Sequence, residues 1–184
     1  MSGQVEPAPT IYTVGHSTRS LDEFLALLDG HGIRTLADVR TVPKSRRHPQ
    51  FVREALAESL DRAGVRYVHL PQLGGLRRPR RASPNDGWRN ESFRGYADYL
   101  ATEEFQSGLA RLLALAEEGT VAAMCTEAVP WRCHRSLLAD ALLVRGVPVE
   151  HIVSPSASRP HSLTPFARVD GQRLSYPAEQ KRLM

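Results

Sequence analysis

A chain of 184 residues with no composition break before its C-terminal segment fits one domain built around a single core. Hydrophobic residues make up 41% and charged residues 24%, which argues against intrinsic disorder, and no apolar run approaches the ~20 residues that cross a bilayer. Lys and Arg outnumber Asp and Glu by 24 to 20, and every cation except Lys44 and Lys181 is an arginine. Arginine suits bidentate contact with phosphate or carboxylate, although a composition set by a GC-rich genome would leave most of these side chains simply solvated.

Residues 1–9 lack the cationic and apolar regions of a secretory leader, so the expected location is the cytoplasm. Two cysteines in such a chain argue against a disulfide framework and for thiols that are either inert or reactive. Residues 1–9 are read as a flexible lead. In residues 10–14, β-branched and aromatic side chains predict a strand, closed by Gly15, His16 and Ser17. Ser20 with Glu23 forms a capping box ahead of Leu21, Phe24, Leu25 and Leu28, which share one helical face until Gly30 and Gly32. Residues 35–39 predict a second strand and residues 40–50 a basic loop. Phe51, Leu56 and Leu60 mark a second helix, ended by Gly64.

Residues 65–70 alternate as a third strand. Some twenty irregular residues follow, a length usually reserved for function or mobility. Helices are expected from Phe93 to about Leu100 and over residues 104–118. A fourth strand over residues 120–124 leads through a polar turn into a helix whose first turn holds Cys133, His134 and Arg135. Residues 147–153 predict a fifth strand, and residues 154–184 an extended tail in which 166–169 form a short pairing piece.

Strands alternating with amphipathic helices predict a three-layer, Rossmann-like or flavodoxin-like α/β domain over residues 10–153, with a mainly parallel sheet of about five strands. In such a sheet the strands' C-terminal ends share one edge, where open α/β sheets bind ligands. That edge gathers His16; Arg40 with Lys44, Arg46 and Arg47; Gly74 and Gly75; Cys125 with Glu127; and His151.

The richest segment is 121–140, with both cysteines beside Glu127, Arg132, His134 and Arg135. A thiol near a helix N-terminus and arginines tends toward thiolate, a nucleophile or a metal ligand. A phosphatase-like anion cradle does not fit: six residues separate Cys125 from Arg132, the turn lacks glycine, and Glu127 would repel the anion.

The leading expectation is a thiol-dependent enzyme acting on an anionic substrate, nucleotide or nucleic acid included. Cys125 or Cys133 would be the nucleophile, Glu127 with His134 or His16 would move protons, and Arg40, Arg46, Arg132 and Arg135 would clamp the anion. One alternative is a non-catalytic nucleic-acid-binding module using Arg77, Arg78, Arg80 and Arg81 with Trp88. Another is a metal site of Cys125, Cys133 and His134, with His16 as a further donor, although the spacing matches no common zinc signature. No metal or other cofactor is assigned. The expected partners are a small anionic ligand or nucleic acid and no membrane, and the oligomeric state stays open.

The segments Ile11-Tyr-Thr-Val-Gly-His-Ser17, Asp38-Val-Arg40, Pro43-x-Ser-Arg46, Leu73-Gly-Gly75, Met124-Cys-x-Glu127 and Cys133-His-Arg135 resemble the signatures of the domain of unknown function 488 family of bacteria and archaea. The resemblance runs from about Thr10 to Val153. It implies a compact α/β domain and transfers no activity.

Overall fold

The computed structural model of the chain describes residues 8–179; residues 1–7 of the lead and residues 180–184 of the tail lie outside it. Five parallel strands alternate with helices: β1 (Ile11–Gly15), α1 (Leu21–Gly30), β2 (Thr35–Asp38), α2 (Arg53–Arg62), β3 (Arg66–His69), α3 (Glu91–Tyr99), α4 (Glu103–Glu118), β4 (Val121–Cys125), α5 (Arg135–Leu143) and β5 (Val149–Ser154). The sheet runs β3-β2-β4-β1-β5, with β6 (Ala157–Pro160) antiparallel on β5. This is the expected α/β class with a sixth strand added. A separate hairpin joins β7 (Arg168–Asp170) to β8 (Arg173–Ser175). Among the described residues no helix is long and apolar enough to cross a membrane.

The alternation of side chains along the strands explains the layers. On β4, Ala122 and Met124 pack with Val14, Phe24, Leu36, Phe51, Leu56 and Leu60 beneath α1 and α2. Val121, Ala123 and Cys125 face the other way, into a core shared with Tyr96, Phe105, Leu109, Leu112 and Leu138 of α3, α4 and α5. Every residue of β4 is buried, as a central parallel strand covered on both faces requires. Burying a Leu or Phe side chain is worth about 1.5–3 kcal/mol, so these two clusters dominate the stability of the sandwich.

Local signals fix the helix starts. Ser20 and Glu23 close the expected capping box on α1, Asn90 accepts from the Ser92 and Phe93 amides at α3, and Thr102 caps α4 through the Phe105 amide. The start of α5 differs from the sequence expectation. Residues Pro130–Arg132 form a single tight 3-10 turn, Cys133 has extended backbone, His134 is the capping residue, and the helix begins at Arg135. Pro130 accounts for the early turn, since it fixes its own φ and offers no amide for helix bonding.

The topology also sets the functional edge. β1 leads through α1 toward β2 on one side, whereas its neighbour β4 leads through α5 to β5 on the other. Adjacent strands whose connections diverge leave a crevice at their C-terminal ends, where α/β proteins hold ligands. Gly15 pairs with Cys125 across that point.

Candidate functional site

Three side chains meet at the end of β4. Cys125 leaves the strand on the α3–α5 side, and Cys133 and His134 return beside it at the entry to α5. His134 Nδ1 stands 3.7 Å from Cys133 Sγ and 3.9 Å from Cys125 Sγ. The three donor atoms all lie within 4.8 Å of one another. Both thiols are free, and only 9% of Cys125 and 5% of Cys133 is exposed. A hydrogen bond from the Cys125 thiol holds Cys133 well below the usual thiol range, helped by His134 and Arg135, while the same bond and burial push Cys125 well above it.

The family-like glycines explain how the imidazole fits. A Cβ at Gly75 would stand 2.9 Å from His134 Nδ1, and one at Gly74 would stand 2.8 Å from the Thr41 backbone. Tyr96 and Tyr99 of α3 donate to the carbonyls of Leu73 and Gln72 at 2.9 and 2.7 Å, which pins this loop against the site. The Tyr96 ring also packs against His134, with centroids 4.9 Å apart. At the switch point, a Cβ on Gly15 would overlap the Glu127 carbonyl. The Leu73-Gly-Gly75, Gly15 and Cys133-His134 motifs therefore interlock around one spot.

Other expected site residues lie elsewhere. The His16 ring stacks on Phe51, 4.3 Å between centroids, within the α1–α2 layer rather than beside the sulfurs. Burial, aided by the Arg40 charge, lowers its pKa to about 4. Arg40 is buried and spent on Asp38, donating from Nε at 2.9 Å and from Nη2 at 2.7 Å, while Tyr67 donates to the same carboxylate at 2.5 Å. Arg46 and Arg132 are exposed. The exposed Glu127 carboxylate accepts the Val129 amide at 3.1 Å, and it is the Glu127 carbonyl, not the carboxylate, that receives Arg135.

The residues expected to bind nucleic acid also divide. The Arg77 guanidinium lies 3.8 Å from the centre of the Tyr99 ring and donates to the Gly74 and Pro71 carbonyls. Trp88 stacks on Phe93 and packs against Phe166 and Tyr176. Arg78, Arg80 and Arg81 remain exposed.

A second polar cluster was not anticipated. Thr13 and His151 pair across β1 and β5, with Thr13 Oγ1 2.6 Å from His151 Nδ1. His151 Nε2 lies 2.9 Å from His161 Nδ1, and His161 Nε2 lies 2.8 Å from Asp140 Oδ1. Asp140 also accepts the Thr164 amide at 3.1 Å and the Tyr176 hydroxyl at 2.8 Å. Asp140 accepts from His161 Nε2–H, and at the far end of the chain the Thr13 hydroxyl oxygen accepts from Arg135 Nη1 at 3.2 Å. His161 and Asp140 gave no local signal in the sequence, one lying in a Ser/Pro-rich stretch and the other inside a helix.

No curated protein and no solved structure matches the chain. The family model described as "Domain of unknown function DUF488" matches residues 20–142, a span holding the Asp38-to-Arg40, Leu73-to-Gly75 and Met124-to-Arg135 motifs, and the chain belongs to that family.

Proposed function

We propose that this protein works through one thiophilic metal ion, zinc by preference, held by Cys125 Sγ, Cys133 Sγ and His134 Nδ1, with a fourth position open to water or substrate. What supports the reading is the spacing of the donors. Bonds of about 2.3 Å to sulfur and 2.05 Å to nitrogen, at tetrahedral angles, separate sulfur from nitrogen by about 3.6 Å. The nitrogen–sulfur distances here are 3.7 and 3.9 Å. The donors thus stand close to ligand geometry before any ion arrives, and one sulfur already favours the thiolate that a metal requires. Three protein ligands is the number found at catalytic zinc sites, one short of a closed structural site.

The nucleophile reading uses one sulfur and leaves the convergence of the second sulfur and His134 Nδ1 on the same point without a role. Titrating the reduced, chelator-treated protein with cobalt(II) separates the two. The metal reading expects one equivalent to bind with thiolate-to-cobalt charge transfer and the strong visible absorption of a tetrahedral ion, zinc to displace it, and Cys133→Ser and His134→Ala each to abolish the charge-transfer band or shift it. Cobalt binding without thiolate absorption, combined with rapid alkylation of Cys133 in the folded protein, would restore the nucleophile and end the metal reading.

A further inference from the structure

A cavity of about 620 Å³ lies between the β4–α5 turn, β5 and the C-terminal segment. Its wall is chemically one-sided. Arg19, Arg135 and Arg159 contribute cations, His151 and His161 contribute imidazoles, and no Asp or Glu among the described residues borders it. Trp88, Trp131 and Phe166 supply aromatic surface, and Trp131 is 66% exposed although large aromatic side chains are usually covered.

Arg135 is the least exposed cation of the wall. Its side chain is 1% exposed, yet no carboxylate lies within ion-pair distance among the described residues. It donates only to the Glu127 and Ala128 carbonyls and to Thr13, and its buried Nε has no partner. A buried guanidinium normally has a paired anion, because carbonyl oxygens solvate the charge without neutralising it. Arg159, on the same wall, makes no ion pair among the described residues and is free to swing toward a ligand.

We propose that this cavity binds a small planar anion, an aromatic or heteroaromatic ring bearing a phosphate or carboxylate. The ring would lie against Trp131 and Phe166, and the anionic group would face Arg159, with Arg135, buried just behind the wall, adding its charge. Stacking on Trp131 accounts for its exposure, and the anion supplies the counter-charge that Arg135 lacks. This is a site separate from the sulfur cluster.

Both tryptophans of the chain border the cavity, so intrinsic fluorescence reports its occupancy directly. The test titrates chelator-treated protein with phenyl phosphate, benzoate, inorganic phosphate and benzyl alcohol, and repeats the series on zinc-loaded protein so that the result is read whether or not a metal binds. Saturable binding of phenyl phosphate or benzoate is expected, at least about tenfold tighter than either inorganic phosphate or benzyl alcohol, the worth of one charge-assisted hydrogen bond. The ratio between the first two probes identifies the anionic group. Arg159→Ala and Trp131→Ala, both at exposed positions that leave the core intact, should each weaken binding about tenfold with unchanged thermal unfolding. Binding of benzyl alcohol as tight as that of phenyl phosphate, indifference to Arg159→Ala, or no saturation by any aromatic probe would overturn the proposal.

Discussion

At the scale of single residues, the candidate centre depends on a side chain that is missing. Gly75 leaves room for the His134 ring, since a Cβ there would press on Nδ1 at 2.9 Å. The obstacle is a side chain that can rotate rather than fixed backbone, so Gly75→Ala should move the imidazole and leave the fold standing. The expected outcome is a loss of cobalt affinity of about tenfold or more, with the unfolding midpoint changed by no more than about 1 kcal/mol in stability. Unchanged affinity would mean that Nδ1 is not a ligand. The cysteines, His134 and Arg135 were legible because they sit within a dozen positions. The Gly75–His134 contact was not, because nothing local says which loop a ring will meet. Arg40 shows the same limit from the other direction. Its position at a strand end looked like an anion clamp, but Asp38, two residues earlier, takes both its Nε and Nη2 groups.

At the scale of elements, the five parallel strands and five helices could be read from periodicity, because buried parallel strands and amphipathic helices leave distinct patterns. The sheet order could not. Nothing in the sequence states that β4 inserts between β1 and β2, and that insertion puts Gly15 beside Cys125. The sixth strand escaped because Ala157–Pro160 is short, polar and proline-ended, features tolerated only at a sheet edge. Asp140 of α5 ties this C-terminal segment down through His161, Thr164 and Tyr176. Asp140→Ala leaves two neutral donors and an imidazole without their acceptor, a loss of about 2–4 kcal/mol. Because those contacts join one segment to one helix, limited proteolysis should cut first between Pro160 and Tyr176. Nicking elsewhere, or resistance equal to the parent protein, would show that Asp140 does not hold the segment.

At the scale of the whole molecule, acid should act through two buried imidazoles on different layers. Burial, with the Arg40 charge, lowers His16 to about 4, and burial, with His161 and then Arg135, lowers His151 to about 4. Their ordinary value is 6.5. Between pH 6.5 and 4 the unfolded chain therefore takes up protons that the folded chain refuses, so stability rises with pH across that window and falls on acidification through it. The contribution is complete above about 6.5 and gone below about 4, with up to about 3 kcal/mol for each ring. For His151 the molecular reason is burial beside other groups that carry or can carry positive charge. A second proton on His151 would put a cation in a buried place next to Arg135, which already donates to the Thr13 hydroxyl that His151 Nδ1 contacts. Urea midpoints measured at half-unit steps from pH 7.5 to 4 should drop steadily below about 6.5, and His16→Gln, which leaves the β1–β5 network untouched, should remove about half of that slope. A flat midpoint down to pH 5 would show that both imidazoles accept protons in the folded state, against the burial that surrounds them.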